Sequence, residues 1–291
     1  MKASRRFRML KRIALFFIII GALSWVALNA GSPQSSVMKT GVLDEASGLA
    51  SSKRNPGLLY SHNDSGGKPC IYAIDTKGNL KCTLTLAGIQ NRDWEDIACT
   101  VDAKSKISYV YVGEIGDNNA KYNSVAVYRF PEPELEAADS VMTIDRVEKI
   151  EIRYEDGPRD AEALFVNPSN GDIYIISKRE EKVGLYRVAQ PVSLTEVNIA
   201  HRLSSLPLGW VTAADLSPNG KKLLVKTYPG VWQFKCHTDK QGVLVPSKNP
   251  KARPYILEPQ GEGLCWDRKA NGYFTLSESG EGVKQTLYYY K

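Results

Sequence analysis

Asp93-Trp94-Glu95-Asp96-Ile97-Ala98 has relatives at four other places in the chain: Glu45-Ala46-Ser47-Gly48-Leu49, Asp160-Ala161-Glu162-Ala163-Leu164, Thr212-Ala213-Ala214-Asp215-Leu216 and Gly261-Glu262-Gly263-Leu264. Recurrence at this period marks an array of like units, since a single unit cannot bury its apolar face and must stack on a neighbour. The repeated phrase also has an acidic head, so stacking gathers carboxylates in space. With Ser47, Glu95, Glu162, Ala214 and Glu262 taken as equivalent, the steps are 48, 67, 52 and 48 residues, the long step holding an insertion between Pro131 and Ile144.

Each unit repeats one order of short strands. In the third, 162–166 is apolar, Asn167-Pro168-Ser169-Asn170-Gly171 is a turn, 172–177 alternates, and 183–188 follows a polar loop. The first unit gives 47–51, 58–61, 70–75 and 80–86, and the fifth gives 263–266, 273–276 and 286–290. These are strand signals bounded by turn residues. Four antiparallel strands per unit at this spacing predict an all-β fold, a β-propeller of five blades. Six blades are the alternative, because the exported part of the chain also divides into six blades of about 40–45 residues. The fifth unit stops one strand short, and 36–43 is expected to supply the missing outermost strand and so hide the edges of the ring. Residues 132–138 are the single helical candidate, and the neighbouring prolines favour a loop there.

Residues 1–30 form a separate segment. Lys2, Arg5, Arg6, Arg8, Lys11 and Arg12 make a basic head without an acid, and the apolar run 13–30 follows with Phe16, Phe17, Ile18, Ile19 and Ile20. This pattern is that of a secretory signal or an N-terminal membrane anchor. The run is near the minimum length that spans a bilayer, and Leu28-Asn29-Ala30 places a large Leu where a signal peptidase prefers Ala, so the cleaved and anchored forms stand side by side. The absence of a Cys after the run argues against a lipoprotein. Residues 31–35 read as a linker and 36–291 as the propeller domain. The expected location is periplasmic, cell-surface or secreted, with contact to membrane only through the N-terminal segment.

Export changes the charge argument. The chain has 38 Lys and Arg against 32 Asp and Glu, and six of the basic residues lie in the head, which leaves 32 against 32. A neutral product offers no electrostatic footprint for phosphate backbones, which sets nucleic acid aside. The five cysteines (Cys70, Cys82, Cys99, Cys236, Cys265) lack zinc-type spacing, and their odd number leaves at least one unpaired. Cys70 and Cys82 flank the turn Asp75-Thr76-Lys77-Gly78-Asn79, so a cross-strand disulfide and buried free thiols are both open readings.

The residues heading strand one and those ending strand two share one rim of such a ring. The first set is Ser47, Glu95, Glu162, Ala214 and Glu262, with Glu45, Asp93 and Asp160 two positions earlier and pointing the same way. The second set is Asn63, Glu114, Lys178, Tyr228 and Glu278. Glu95, Glu162 and Glu262 in one narrow channel need compensation by a cation, shared protons or the nearby Lys178, Arg179 and Lys226. Calcium suits them, since it takes six to eight hard oxygen ligands, and Asn63, Asp64, Asp117, Asn118 and backbone carbonyls can complete its shell. The competing reading is that these acids accept backbone hydrogen bonds and lock the blades together, more so for Asp93, Asp160 and Asp215.

The loops His62-Asn63-Asp64-Ser65-Gly66-Gly67 and Gly113-Glu114-Ile115-Gly116-Asp117-Asn118-Asn119 mix glycine with carbonyl-bearing side chains, a composition that builds oxygen-rich concave turns or simple Asx turns. His62 lies closest to the acids of the three histidines and is the general-base candidate, with a satisfied surface histidine as the alternative. Trp94 and Trp210 stand where strand one begins and line a pocket for a sugar or other flat ligand, or pack in the core. Nucleophile-elbow, Walker and zincin patterns are absent from the sequence.

The words Glu45-Ala46-Ser47-Gly48-Leu49-Ala50, His62-Asn63-Asp64-Ser65-Gly66, Asp93-Trp94-Glu95-Asp96-Ile97-Ala98 and Gly113-Glu114-Ile115-Gly116-Asp117-Asn118 resemble those of exported bacterial propellers. They are similar to the SdiA-regulated and phytase-like esterase groups within the TolB-like propellers, most clearly over 45–133. The resemblance implies a secreted or periplasmic propeller, often with calcium and sometimes with a hydrolase label; those groups are generally six-bladed. Two functions follow as expectations. One is a monomeric, non-catalytic propeller that binds an envelope protein, glycan or small molecule on the acidic face. The other is a calcium-dependent hydrolase of phosphoesters or esters, with the glutamates holding the ion and His62 or a rim carboxylate activating water.

Overall fold

Runs of β-branched and aromatic residues separated by turn residues favour strands throughout the chain, and the computed structural model describes residues 32–135, 140–280 and 282–291 as 22 strands with no helix among them. The signal or anchor at 1–30, the linker's first residue at 31 and positions 136–138 of the expected loop lie outside the described residues. No helix among the described residues is long and apolar enough to cross a membrane.

In chain order, β1 (Gln34–Val37) precedes β2 (Ala46–Ser51), β3 (Leu58–Asn63), β4 (Cys70–Asp75) and β5 (Leu80–Leu86). Next come β6 (Trp94–Val101), β7 (Ser108–Glu114), β8 (Val125–Pro131), β9 (Ser140–Ile144) and β10 (Glu148–Tyr154). They are followed by β11 (Ala161–Val166), β12 (Ile173–Ser177), β13 (Gly184–Val188) and β14 (Asn198–Ser205). Then come β15 (Val211–Leu216), β16 (Lys222–Thr227), β17 (Gly230–Thr238), β18 (Leu244–Pro246) and β19 (Lys251–Arg253), and last β20 (Gly261–Trp266), β21 (Tyr273–Ser277) and β22 (Thr286–Tyr290). Hydrogen bonding forms four sheets made of five antiparallel arrangements: β2-β3-β4-β5, extended by β9; β6-β7-β8-β10 and β11-β12-β13-β14, joined through β10 and β14 into one eight-stranded sheet; β15-β16-β17 with both β18 and β19 on β17; and β20-β21-β22-β1.

The first strand of each arrangement is innermost. β2 touches β6, β6 touches β11, β11 touches β15, β15 touches β20, and β20 returns to β2, so the innermost strands form a closed cycle. Apolar side chains fill the spaces between neighbours. One cluster joins Tyr60 and Ile71 to Val112 and Phe130, and another joins Val127 and Ile150 to Leu164 and Ile175. Phe165 meets Phe234, Leu224 meets Tyr273, and Leu43 and Ile74 meet Leu276 and Leu287.

Two details depart from expectation. The outermost partner of β22 is Gln34–Val37, running from Gln34 opposite Tyr289 to Val37 opposite Thr286, instead of 36–43. Past Val37 the chain leaves the sheet: Met38 N donates to Gln285 O at 2.9 Å and Lys39 N to Gly78 O at 2.8 Å, and Leu43 turns into the core. The insertion after Pro131 supplies β9, which pairs in parallel with β5 of the first arrangement, while β10 pairs in parallel with β14 of the third. The cysteines do not face one another either. Cys70 lies opposite Thr85 and Cys82 opposite Ala73, and all five thiols are free.

At the head of four innermost strands the register slips by one residue, between Trp94 and Asp96, Ala161 and Ala163, Val211 and Ala213, and Gly261 and Gly263. A bulge of this kind re-aims the extra side chain. The bulged residues are Glu95, Glu162, Thr212 and Glu262, so the fourth unit's equivalent is Thr212 and not Ala214. The hydroxyls at these positions tie neighbours together: Ser47 Oγ donates to Glu95 O at 2.7 Å and Thr212 Oγ1 to Gly261 O at 3.0 Å. Asp96, fully buried, does more. Its Oδ1 accepts from Ile97 N at 2.9 Å, and its Oδ2 from Leu164 N at 2.8 Å and Ala214 N at 3.2 Å, which fastens three innermost strands to one carboxyl. Asp215 Oδ2 accepts from Trp266 N at 2.8 Å and links the fourth to the fifth.

Candidate functional site: an acidic mouth at the heads of the innermost strands

The bulges deliver Glu95 (4% exposed), Glu162 and Glu262 to one end of the cycle, where the loops after β3 and β7 also arrive. Asn91 fixes the first loop. Its Nδ2 donates to the carbonyls of Asn63 and Asp64, and its Oδ1 accepts from Trp94 N at 3.2 Å. Asp64 is thereby held beside Asp93 and Glu95. The second loop approaches because residue 116 is glycine: a Cβ there would stand 2.1 Å from Glu95 Oε1 and 2.5 Å from the Asp93 carboxylate.

Two groups of carboxylates result, Asp64 with Asp93 and Glu95, and Glu95 with Asp160 and Glu162; in each, one ligand oxygen per residue lies within 4.8 Å of the others. Glu95 belongs to both. The second group is compensated, since Lys178 Nζ is ion-paired with Glu162, Arg179 Nε lies 2.6 Å from Asp160 Oδ2, and Asp117 N donates to Asp160 Oδ1 at 2.9 Å. The first has no ion pair among the described residues: Arg92, whose charge lowers Asp93, lays its guanidinium 4.1 Å above the Tyr122 ring and 3.9 Å from Glu114, and Lys178, whose charge lowers Glu95, is ion-paired with Glu162.

The electrostatics follow. Burial raises Asp64 to about 6, with Asp93 adding to it. Burial and then Asp160 raise Asp93. Burial, followed by Glu162, Asp64 and Asp93, lifts Glu95 well above the carboxylate range. Burial also holds Glu162 high despite Lys178, whose own ammonium is penalised by burial yet raised on balance by Glu162. Glu278 rises to about 7 through burial and the charge of Glu262.

The other expected residues occupy distinct stations. Glu262 Oε1 accepts from Tyr228 OH at 3.1 Å, and Glu262 is outside both carboxylate groups among the described residues. Glu278 accepts from Gln260. Asn63 Nδ2 donates to Val42 O at 2.8 Å, and Asn118 Oδ1 accepts from Arg179. Asp117 is spent on its own loop, accepting from Lys121 N at 2.9 Å and Tyr122 N at 2.8 Å, and Glu114 accepts from Tyr128 OH at 3.2 Å. His62 is neither a surface histidine nor a free base. It is fully buried, packs edge-on against Trp94 with ring centroids 5.5 Å apart, and burial lowers its pKa to about 4. Its Nδ1 lies 3.0 Å from Asn63 O, which can only accept, so the ring is neutral with its proton on Nδ1. Asp93 was readable as an acid of the repeat and Asp64 as part of an oxygen-rich loop, but their convergence depends on Asn91, whose bonds leave no mark in sequence.

No family model matches the chain, and no curated protein matches it. Among solved structures that match is one described as an auxiliary nutrient binding protein from Bacteroides thetaiotaomicron, with 11% identity and a TM-score of 0.48 over 88% of this chain. The match covers 64% of that protein, less than two thirds of its length. A likeness of this degree says nothing about what this chain binds.

Proposed function

We propose that the chain is an exported five-bladed β-propeller that holds one divalent cation, calcium by its ligand chemistry, at an acidic channel mouth and binds a ligand or envelope partner on that face. Five cyclically contacting innermost strands, each leading its own antiparallel run of strands, support the blade number. The basic head and apolar run at 1–30 support export. The observation that carries the cation is Glu95: nine-tenths buried, shared by both carboxylate groups, and met by other carboxylates on the side of Asp64 and Asp93. Buried like charges without a partner shed their protons at a steep energetic cost unless a cation joins them. The hard, all-oxygen set favours calcium over softer metals. The ion is assigned to Asp64, Asp93 and Glu95, because Lys178 already takes the place of a cation beside Glu162.

A binding role is favoured over hydrolysis because His62, the candidate histidine base, is buried and neutral. Calcium titration calorimetry tests the assignment. One ion per chain is expected, lost in Glu95→Gln and retained in Glu262→Gln; no uptake, or equal uptake by Glu95→Gln, overturns it.

A further inference from the structure

Trp210 is a large aromatic that lies mostly outside the core. Trp94 and Trp266 are 0% and 2% exposed, whereas Trp210 is 55% exposed. Its φ is +56°, a left-handed conformation that a bulky side chain rarely adopts and that glycine or asparagine would occupy more easily. The backbone is pinned in that state: Trp210 N donates to Lys178 O at 2.9 Å, and at the preceding Gly209 a Cβ would stand 3.1 Å from Glu180 O. The Trp210 backbone is thus fixed by the same residue whose ammonium pairs with Glu162.

Across the fourth sheet, Val211 lies opposite Thr227, so Trp210 and Tyr228 flank the mouth end of β15 and β16. Tyr228 donates to Glu262, and Lys178 Nζ lies 5.5 Å from the Tyr228 ring centre. Trp210 therefore stands at the strand ends where its cross-strand neighbour Tyr228 meets a carboxylate acceptor and an ammonium donor. Lys178 disfavours a cationic ligand on this side, and Glu262 with Glu278 disfavours an anionic one. A neutral polyhydroxylated ring satisfies all of them: its C–H face covers the indole, and its hydroxyls donate to carboxylates and accept from Lys178.

We infer that Trp210 is the stacking platform of a saccharide site that runs from the indole to Glu262, Glu278 and Lys178. The inference rests on the acidic mouth being the binding face, as proposed above. The probes are chitohexaose, cellohexaose, maltohexaose and xylohexaose, titrated into the mature domain with calcium present, with binding read by calorimetry and tryptophan emission. At least one is expected to bind and perturb the emission. Trp210→Ala is expected to weaken that binding about tenfold or more while melting as the parent does, and Trp210→Phe to restore part of it. Binding by none of the four, or undiminished binding by Trp210→Ala, overturns the saccharide site. Calcium's effect on melting, recorded on the same samples, separates the two readings. A calcium shift without saccharide binding removes the platform alone, and saccharide binding without a calcium shift removes the ion alone.

Discussion

Asp96 shows how much a single side chain can hold in this fold. Its carboxyl, buried from solvent, accepts amides from β6, β11 and β15. Asp96→Ala strands buried amides and is expected to lower stability by roughly 3–5 kcal/mol, measured as a drop in the urea unfolding midpoint. Asp215 responds to pH. Burial raises its pKa to about 6, with Lys53 pulling the other way, from an unfolded value near 3.8. A folded-state pKa above the unfolded one favours the fold while the group is protonated, so that contribution is present below about pH 4 and lost as pH rises through 6. Parent stability relative to Asp215→Asn is therefore expected to fall by ~2 kcal/mol or less between pH 4 and 7 in paired denaturation curves. The acids at Glu95, Glu162 and Glu262 were legible as a repeated letter in a repeated phrase. Thr212 was not, because a threonine stands where the other units carry glutamate, and Ala214 fills the place that alignment of the phrase assigns.

Elements were legible where the signal is local. Strands such as Cys70–Asp75, Leu80–Leu86 and Thr286–Tyr290 stand where alternation and turn residues put them. Parallel pairing between distant segments carries no such signal, so the docking of β9 on β5 went unread, and the closing strand was placed two residues late. Removing residues up to Asp44 deletes β1 and the buried Met38 and Leu43. From lost ladder bonds and apolar burial the domain is expected to lose roughly 3–6 kcal/mol. A truncated domain that melts with the full one would deny β1 a structural role. The loop after β7 offers a finer probe. Gly116→Ala places a methyl among the carboxylates of Glu95 and Asp93, and calorimetry is expected to show calcium affinity reduced about tenfold or more.

At the scale of the whole molecule, a closed cycle of innermost strands turns separate acids into one site. The repeat foretold that convergence; the division of the mouth into a half ion-paired with Lys178 and Arg179 and a half without an ion pair among the described residues emerged only in three dimensions. A ligand that binds only the folded state stabilises it by about 2.7 kcal/mol at one hundred times its dissociation constant, which for a domain of this size is a rise of about 5–10 °C. The decisive measurement is the melting temperature of the mature domain and of Glu95→Gln, each across a calcium series and in chelator. A cation at Asp64, Asp93 and Glu95 requires the parent to climb with the logarithm of calcium concentration and Glu95→Gln to stay flat. A parent that melts at one temperature in calcium and in chelator, with Glu95→Gln at least as stable, would contradict it and leave the acidic mouth without an ion.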